Sequence, residues 1–95
     1  MNKYEITFIV KTTIEEQEIK NIAETMKKVL TDNNAKIVEE KALGQKELAY
    51  EINKVKTGYY FLYVVEASSE AIDEFTRVAG INENILRYLT IKVED

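Results

Sequence analysis

An α+β domain, built as two strand–helix–strand units sharing one antiparallel sheet, follows from three features of this 95-residue chain. Apolar residues recur with strand or helix periodicity in the order strand, helix, strand, strand, helix, strand. Capping and turn residues fall between those segments, and no linker or low-complexity stretch divides them. The length suits a single domain over residues 1–95.

Tyr4, Ile6, Phe8 and Val10 alternate with Glu5, Thr7 and Lys11, which places one face of a first strand on a core. Ile9 alone breaks the alternation, as in an interior strand. Thr13 followed by Glu16 has the spacing of a capping box. Ile19, Ile22, Ala23, Met26, Val29 and Leu30 then predict an amphipathic helix that ends at Asp32-Asn33-Asn34. Ala35 to Ile52 reads as one long, half-exposed edge strand with a bulge or bend at Gly44. A turn is expected over Asn53 to Gly58. The following Tyr59 to Val65 is apolar or aromatic at every position, the composition of an interior strand.

Ser68 or Ser69 can cap a second helix whose buried stripe is Ala71, Ile72, Phe75, Val78 and Ala79, with Gly80 as its stop. Ile85 to Val93 returns to β-type residues. Its parity is ambiguous, because Ile85, Leu89, Ile91 and Val93 alternate in step with Arg87, and the Arg87 side is taken as the open one. Right-handed crossovers turn this order into the ferredoxin-like βαββαβ arrangement, a four-stranded antiparallel sheet with two helices on one face. The first and third strands then lie in the middle, and the other sheet face lacks cover from its own chain.

Composition excludes whole classes of chemistry. With no Cys and no His, the chain has no thiol nucleophile, no disulfide and none of the commonest metal and acid/base side chains. Neither a signal peptide nor a membrane segment is legible, so no membrane association and a cytoplasmic location are expected. Thirteen Lys and Arg against seventeen Asp and Glu give a net charge of -4, the reverse of the usual nucleic-acid footprint.

Three constellations offer function. Gly58 to Val64 partly resembles the first ribonucleoprotein motif of RNA recognition domains, with Tyr59, Phe61 or Tyr63 as base-stacking rings. In that alignment, Tyr60 stands where the motif has a small residue and Val64 where it has an aromatic; core packing is the plainer role for such a strand. Lys3, Lys46, Lys54, Lys56, Arg87 and Lys92 lie outside the helices and could meet phosphates, or could be scattered surface cations. An acylphosphatase-like hydrolase would need an anion cradle and an Arg after the first strand, and Lys11-Thr12-Thr13-Ile14 supplies neither Gly nor Arg. The chain is read as no enzyme, with no cofactor and no small-molecule substrate.

The segment Gly44-Gln45-Lys46-Glu47-Leu48-Ala49-Tyr50-Glu51-Ile52-Asn53 resembles the signature of the bacterial small-subunit ribosomal protein number six family. Lys3-Tyr4-Glu5, Gly58-Tyr59-Tyr60 and Asn84-Ile85-Leu86-Arg87 are similar to the family at its spacing, so the resemblance spans essentially the whole chain. It implies the same ferredoxin-like fold and a structural, non-catalytic protein of the small ribosomal subunit. It further implies binding to the central domain of small-subunit ribosomal RNA, jointly with ribosomal protein number eighteen as a heterodimer. Carried over by position, Lys3, Lys46, Lys56 and Arg87 would approach phosphates, joined by Tyr4 and Lys92. Leu48, Tyr50 and Ile52, with Tyr59 and Tyr60, would supply apolar surface for the protein partner.

The chain departs from the family at Glu51, where many members have proline, and at Asn2 and Leu86, where some have basic residues. The charged C-terminal extension of some members has no counterpart before Asp95. These differences thin the RNA-facing charge and shift weight onto a basic companion. The readings set against this one are a free-standing single-stranded RNA binder of the recognition-motif type and a self-associating regulatory ferredoxin-like module.

Overall fold

A computed structural model describes residues 2–52 and 54–93. It contains β1 (Asn2–Lys11), α1 (Glu16–Asp32), β2 (Lys36–Ile52), β3 (Val55–Ala67), α2 (Ser69–Ile81) and β4 (Ile85–Val93). The strands form one antiparallel sheet in the order β2-β3-β1-β4, which places the two most apolar strands in the middle as their composition predicts.

One sheet face and the two helices enclose the core. Ile6, Phe8 and Val10 of β1 and Phe61, Tyr63 and Val65 of β3 pack against Ile22, Met26 and Leu30 of α1 and Ala71, Phe75 and Ala79 of α2. Phe8 is its hub: it stacks on Phe61 with centroids 5.1 Å apart and meets Tyr63 and Phe75 edge-on at 5.3 and 5.9 Å. Such rings, buried on both sides, fix the register between the central strands, Phe8 standing directly opposite Phe61.

The helix ends depart in part from expectation. α1 begins at Glu16 with Glu15 as N-cap and no side-chain cap, so the Thr13–Glu16 box does not form. The chain turns at Thr12–Thr13, and the Thr12 hydroxyl bonds that of Thr57 at 2.6 Å, tying this loop to the hairpin. α2 follows its sequence more closely at the start, where the Ala71 amide donates to Ser68 Oγ at 3.3 Å. Gly80 does not stop that helix, which continues through Ile81.

β3 begins at Val55, earlier than the expected turn allows, because Lys54 at φ 67° completes the reversal. Asn53, first residue of that turn and last of the signature, lies outside the described residues. β2 is the element that shapes the molecule. A straight strand of its 17 residues would run ~55 Å at ~3.3 Å per residue, yet the longest extent of the molecule is 37 Å. The strand therefore bends, with bulges at Ile37/Glu39 and Ala42/Gly44 and a break in pairing between Glu47 and Ile52. Gly44 takes φ +91° at the second bulge, a conformation open to glycine at little cost.

Candidate protein and nucleic-acid interface on the open sheet face

The face opposite the helices is built by the residues that alternate with the core. Register places Lys3, Glu5, Thr7 and Ile9 of β1 beside Tyr60, Leu62, Val64 and Glu66 of β3 on one side and Arg87, Leu89, Ile91 and Val93 of β4 on the other. A bulge at Ile9/Val10 resolves the parity of β4. Ile85 pairs with Val10 and is buried on the helix side, whereas Arg87 pairs with Ile9 on the open side, so Ile85 and Arg87 do not share a face. Leu89 and Ile91 stand 59% and 50% exposed there, two large apolar side chains in water without intrachain cover.

Gly44, Tyr60, Ile9 and Arg87 form one transverse row across all four strands. Over this row the tip of the β2–β3 hairpin folds inward. A Cβ on Gly58 would sit 2.3 Å from Ile9 Cγ2 and 3.4 Å from Leu48 Cδ2, so the missing side chain is what lets Ile9 and Leu48 close over β3. Tyr50, two residues further on, reaches β4, its ring centroid 5.2 Å from the Arg87 guanidinium carbon. Lys46 Nζ lies 5.6 Å from the Tyr60 ring centroid in the same manner. A shallow cavity of about 310 Å³ opens beside the stack, lined by Thr7, Ile9, Arg87, Tyr88 and Leu89.

The residues expected to carry function are thus sorted into two groups. Lys46, Leu48, Tyr50, Tyr60 and Arg87 meet at the hairpin end of the open face, and Lys56 is nearby, 3.9 Å from Glu51. Ile52 pairs with Val55 at the tip itself. Lys3 lies on the open face at the far end of β1, six positions from Ile9 and so ~20 Å away, opposite Glu66. Tyr4 and Lys92 pair with each other on the helix side of that end, where Tyr4 packs on the core. Tyr59 also turns away from Tyr60 and packs on the core, its ring 4.9 Å from Phe61. It is not part of the open surface, because neighbours in a strand point to opposite faces.

The same alternation removes the base-stacking platform. Phe61 and Tyr63 are 7% and 3% exposed and Tyr59 packs beside them, so none of the three rings stands on the open face. Leu89 and Ile91 stand on the open side with Arg87, as expected, and only Ile85 is moved off it by the bulge. What sequence reasoning missed is Ile9 as apolar floor between them and Tyr60, its signal being the one break in the alternation of β1.

Ion pairing separates the cations further. Lys27 bridges Glu40 of β2 at 3.2 Å and Glu24 of its own helix at 3.5 Å, and its pKa is held above the usual lysine value chiefly by the Glu40 hydrogen bond. Lys41 pairs with Glu39 at 3.2 Å, and Arg77 forms a bidentate pair with Glu74, which draws that carboxyl below its usual range. Among the described residues Lys46 and Arg87 form no ion pair, and each lies over an aromatic ring instead. Among those residues there is also no cluster of acidic side chains suited to a metal ion, and no helix long and apolar enough to cross a membrane.

Comparison with known proteins gives one consistent result. The sequence model of the family described as ribosomal protein S6 matches residues 3–92. The chain is 49% identical over 94 residues to the small ribosomal subunit protein bS6 of Shouchella clausii (strain KSM-K16), covering 99% of both chains. It superposes on the crystal structure of the 30S ribosomal protein S6 of Thermotoga maritima with a TM-score of 0.92 at 26% identity, over 97% of this chain and 87% of that one.

Proposed function

This chain belongs to the ribosomal protein S6 family and is a structural protein of the small ribosomal subunit, not an enzyme; from that premise we propose that it binds the central domain of small-subunit ribosomal RNA jointly with ribosomal protein number eighteen. The observation that carries the reading is the hairpin end of the open face, where exposed apolar side chains adjoin cations that no carboxylate among the described residues neutralises. Tyr50, Leu48, Leu89 and Ile91 offer the protein partner a surface whose burial is favourable at ~25 cal/mol per Å². Lys46 and Arg87 border that surface and would meet phosphates, each neutralised phosphate adding affinity through counterion release.

Net charge decides the division of labour. At -4 the chain repels RNA at long range, and Lys46 and Arg87 cannot offset that alone. A basic partner seated on the open face supplies the missing charge and leaves the acidic helices towards solvent.

A filter-binding series against a fragment of the central domain, with and without ribosomal protein number eighteen, tests this. Binding should be weak for the chain alone and become tight and salt-sensitive with the partner, and equal affinity in both arms would refute the joint mode. Arg87→Gln should weaken binding and lower the log–log salt slope by about one.

A further inference from the structure

The side chains that the proposed function assigns to RNA and those it assigns to the protein partner are not on separate patches. Arg87 lies over Tyr50, and Lys46 lies over Tyr60: each cation belongs to the RNA side, Tyr50 belongs to the partner side, and Tyr60 is a ring that the family resemblance also gives to the partner. Tyr50 and Arg87 come from opposite edge strands, β2 and β4, with β3 and β1 between them. Three strand spacings of ~4.8 Å separate those edges, so only the inward fold of the hairpin tip brings the ring to the guanidinium. That fold depends on two glycines, Gly44 at the bulge and Gly58 beneath Leu48 and Ile9.

Resting on that proposed function, we infer that Tyr50 is a positioning residue for Arg87, and that through this stack a protein seated on the hairpin and a phosphate bound at Arg87 strengthen each other. Tyr50 is 60% exposed, so much of its ring is free to be covered by a partner while Arg87 stays over it. A cation–ring contact in water is weak and strengthens as it is desolvated. A partner that covers the ring therefore tightens the hold on the guanidinium and removes rotamers that Arg87 would otherwise lose on meeting RNA. The guanidinium keeps its N–H donors at its rim, so a ring held against its face leaves the fork open to a phosphate. By linkage the effect is reciprocal: RNA bound at Arg87 must raise affinity for the partner by the same factor.

Four full-length chains decide the matter: Tyr50→Leu, which keeps apolar bulk but removes the ring, Tyr50→Phe, which keeps the ring face, Arg87→Gln, and the Tyr50→Leu/Arg87→Gln double variant. Each is titrated with the central-domain RNA fragment, alone and with ribosomal protein number eighteen at saturating concentration. NMR of the free chains reads the ring-current shift of the Arg87 δ-methylene. Tyr50→Leu should abolish that shift and weaken RNA binding of the protein pair by about five- to tenfold, more than it weakens the chain alone. Tyr50→Phe should behave as the parent. In the Arg87→Gln background, Tyr50→Leu should cost nothing further. If Arg87→Gln weakens RNA binding and the effect of Tyr50→Leu simply multiplies with it, the positioning role is overturned and the proposed function stands. If Arg87→Gln leaves RNA affinity unchanged, the positioning role falls with it; if RNA affinity is equal with and without the partner, the proposed function falls as well.

Discussion

The phenol of Tyr63 is carried into the core by the interior parity of β3, and it stays there because its hydroxyl donates to the Ala23 carbonyl at 3.0 Å. Burial, with the Glu40 and Glu24 carboxylates adding to it, pushes its pKa well above the usual 10.0. The folded phenol thus remains neutral where the unfolded one ionises, so its contribution is complete below pH 10 and is lost as pH rises beyond it. Above that point the parent chain should lose up to about 1.4 kcal/mol per pH unit relative to Tyr63→Phe, read by urea melts across the alkaline range. At neutral pH the same substitution should cost about 1 kcal/mol for the lost hydrogen bond. Thr90 is the opposite case: its hydroxyl is buried without a hydrogen-bond partner among the described residues. Thr90→Val should therefore raise stability, by up to about 1 kcal/mol in the same melts.

At the scale of the element, two glycines of the hairpin work for different reasons. At Gly58 the constraint is contact, since an added Cβ would strike the branched, stiff side chain of Ile9. Gly58→Ala should cost about 1–3 kcal/mol and lift Leu48 and Tyr50 off the sheet, seen as loss of the Arg87 ring-current shift. Gly44 has open space around it but φ +91°, so Gly44→Ala is strained by backbone geometry alone and should cost about 1 kcal/mol. The bend at Gly44 was legible in the sequence, as were the central places of β1 and β3 and the Ser68 cap, because each rests on local chemistry or simple periodicity. The parity of β4 was not, because the Ile9/Val10 bulge is a property of two paired strands and leaves no mark in either alone. The idle Thr13 has the same kind of cause, since Thr12 beside it is tied to Thr57 of the hairpin, whereas the early start of β3 follows from the positive φ that Lys54 adopts. Of the expected site, the cluster around Tyr50 and Arg87 was named residue by residue, but its meeting across four strands depends on a tertiary fold of β2.

For the molecule as a whole, the open face and the charge of -4 lead to one expectation about association. Alone at micromolar concentration the chain should sediment as a monomer, because its exposed apolar surface is matched to a basic partner; a stable homodimer would favour the self-associating module instead. The bent β2 has a consequence for the health of the free protein. Its outer edge carries amides and carbonyls that no strand among the described residues occupies, the usual seed for fibrils. Its bulges break the ladder into runs no longer than four residues, Glu39–Ala42 and Gly44–Glu47, and Glu39, Glu40, Lys41, Lys46 and Glu47 stud them with charge. A newly made copy waiting for its place in the subunit therefore presents no even comb on which another copy could crystallise.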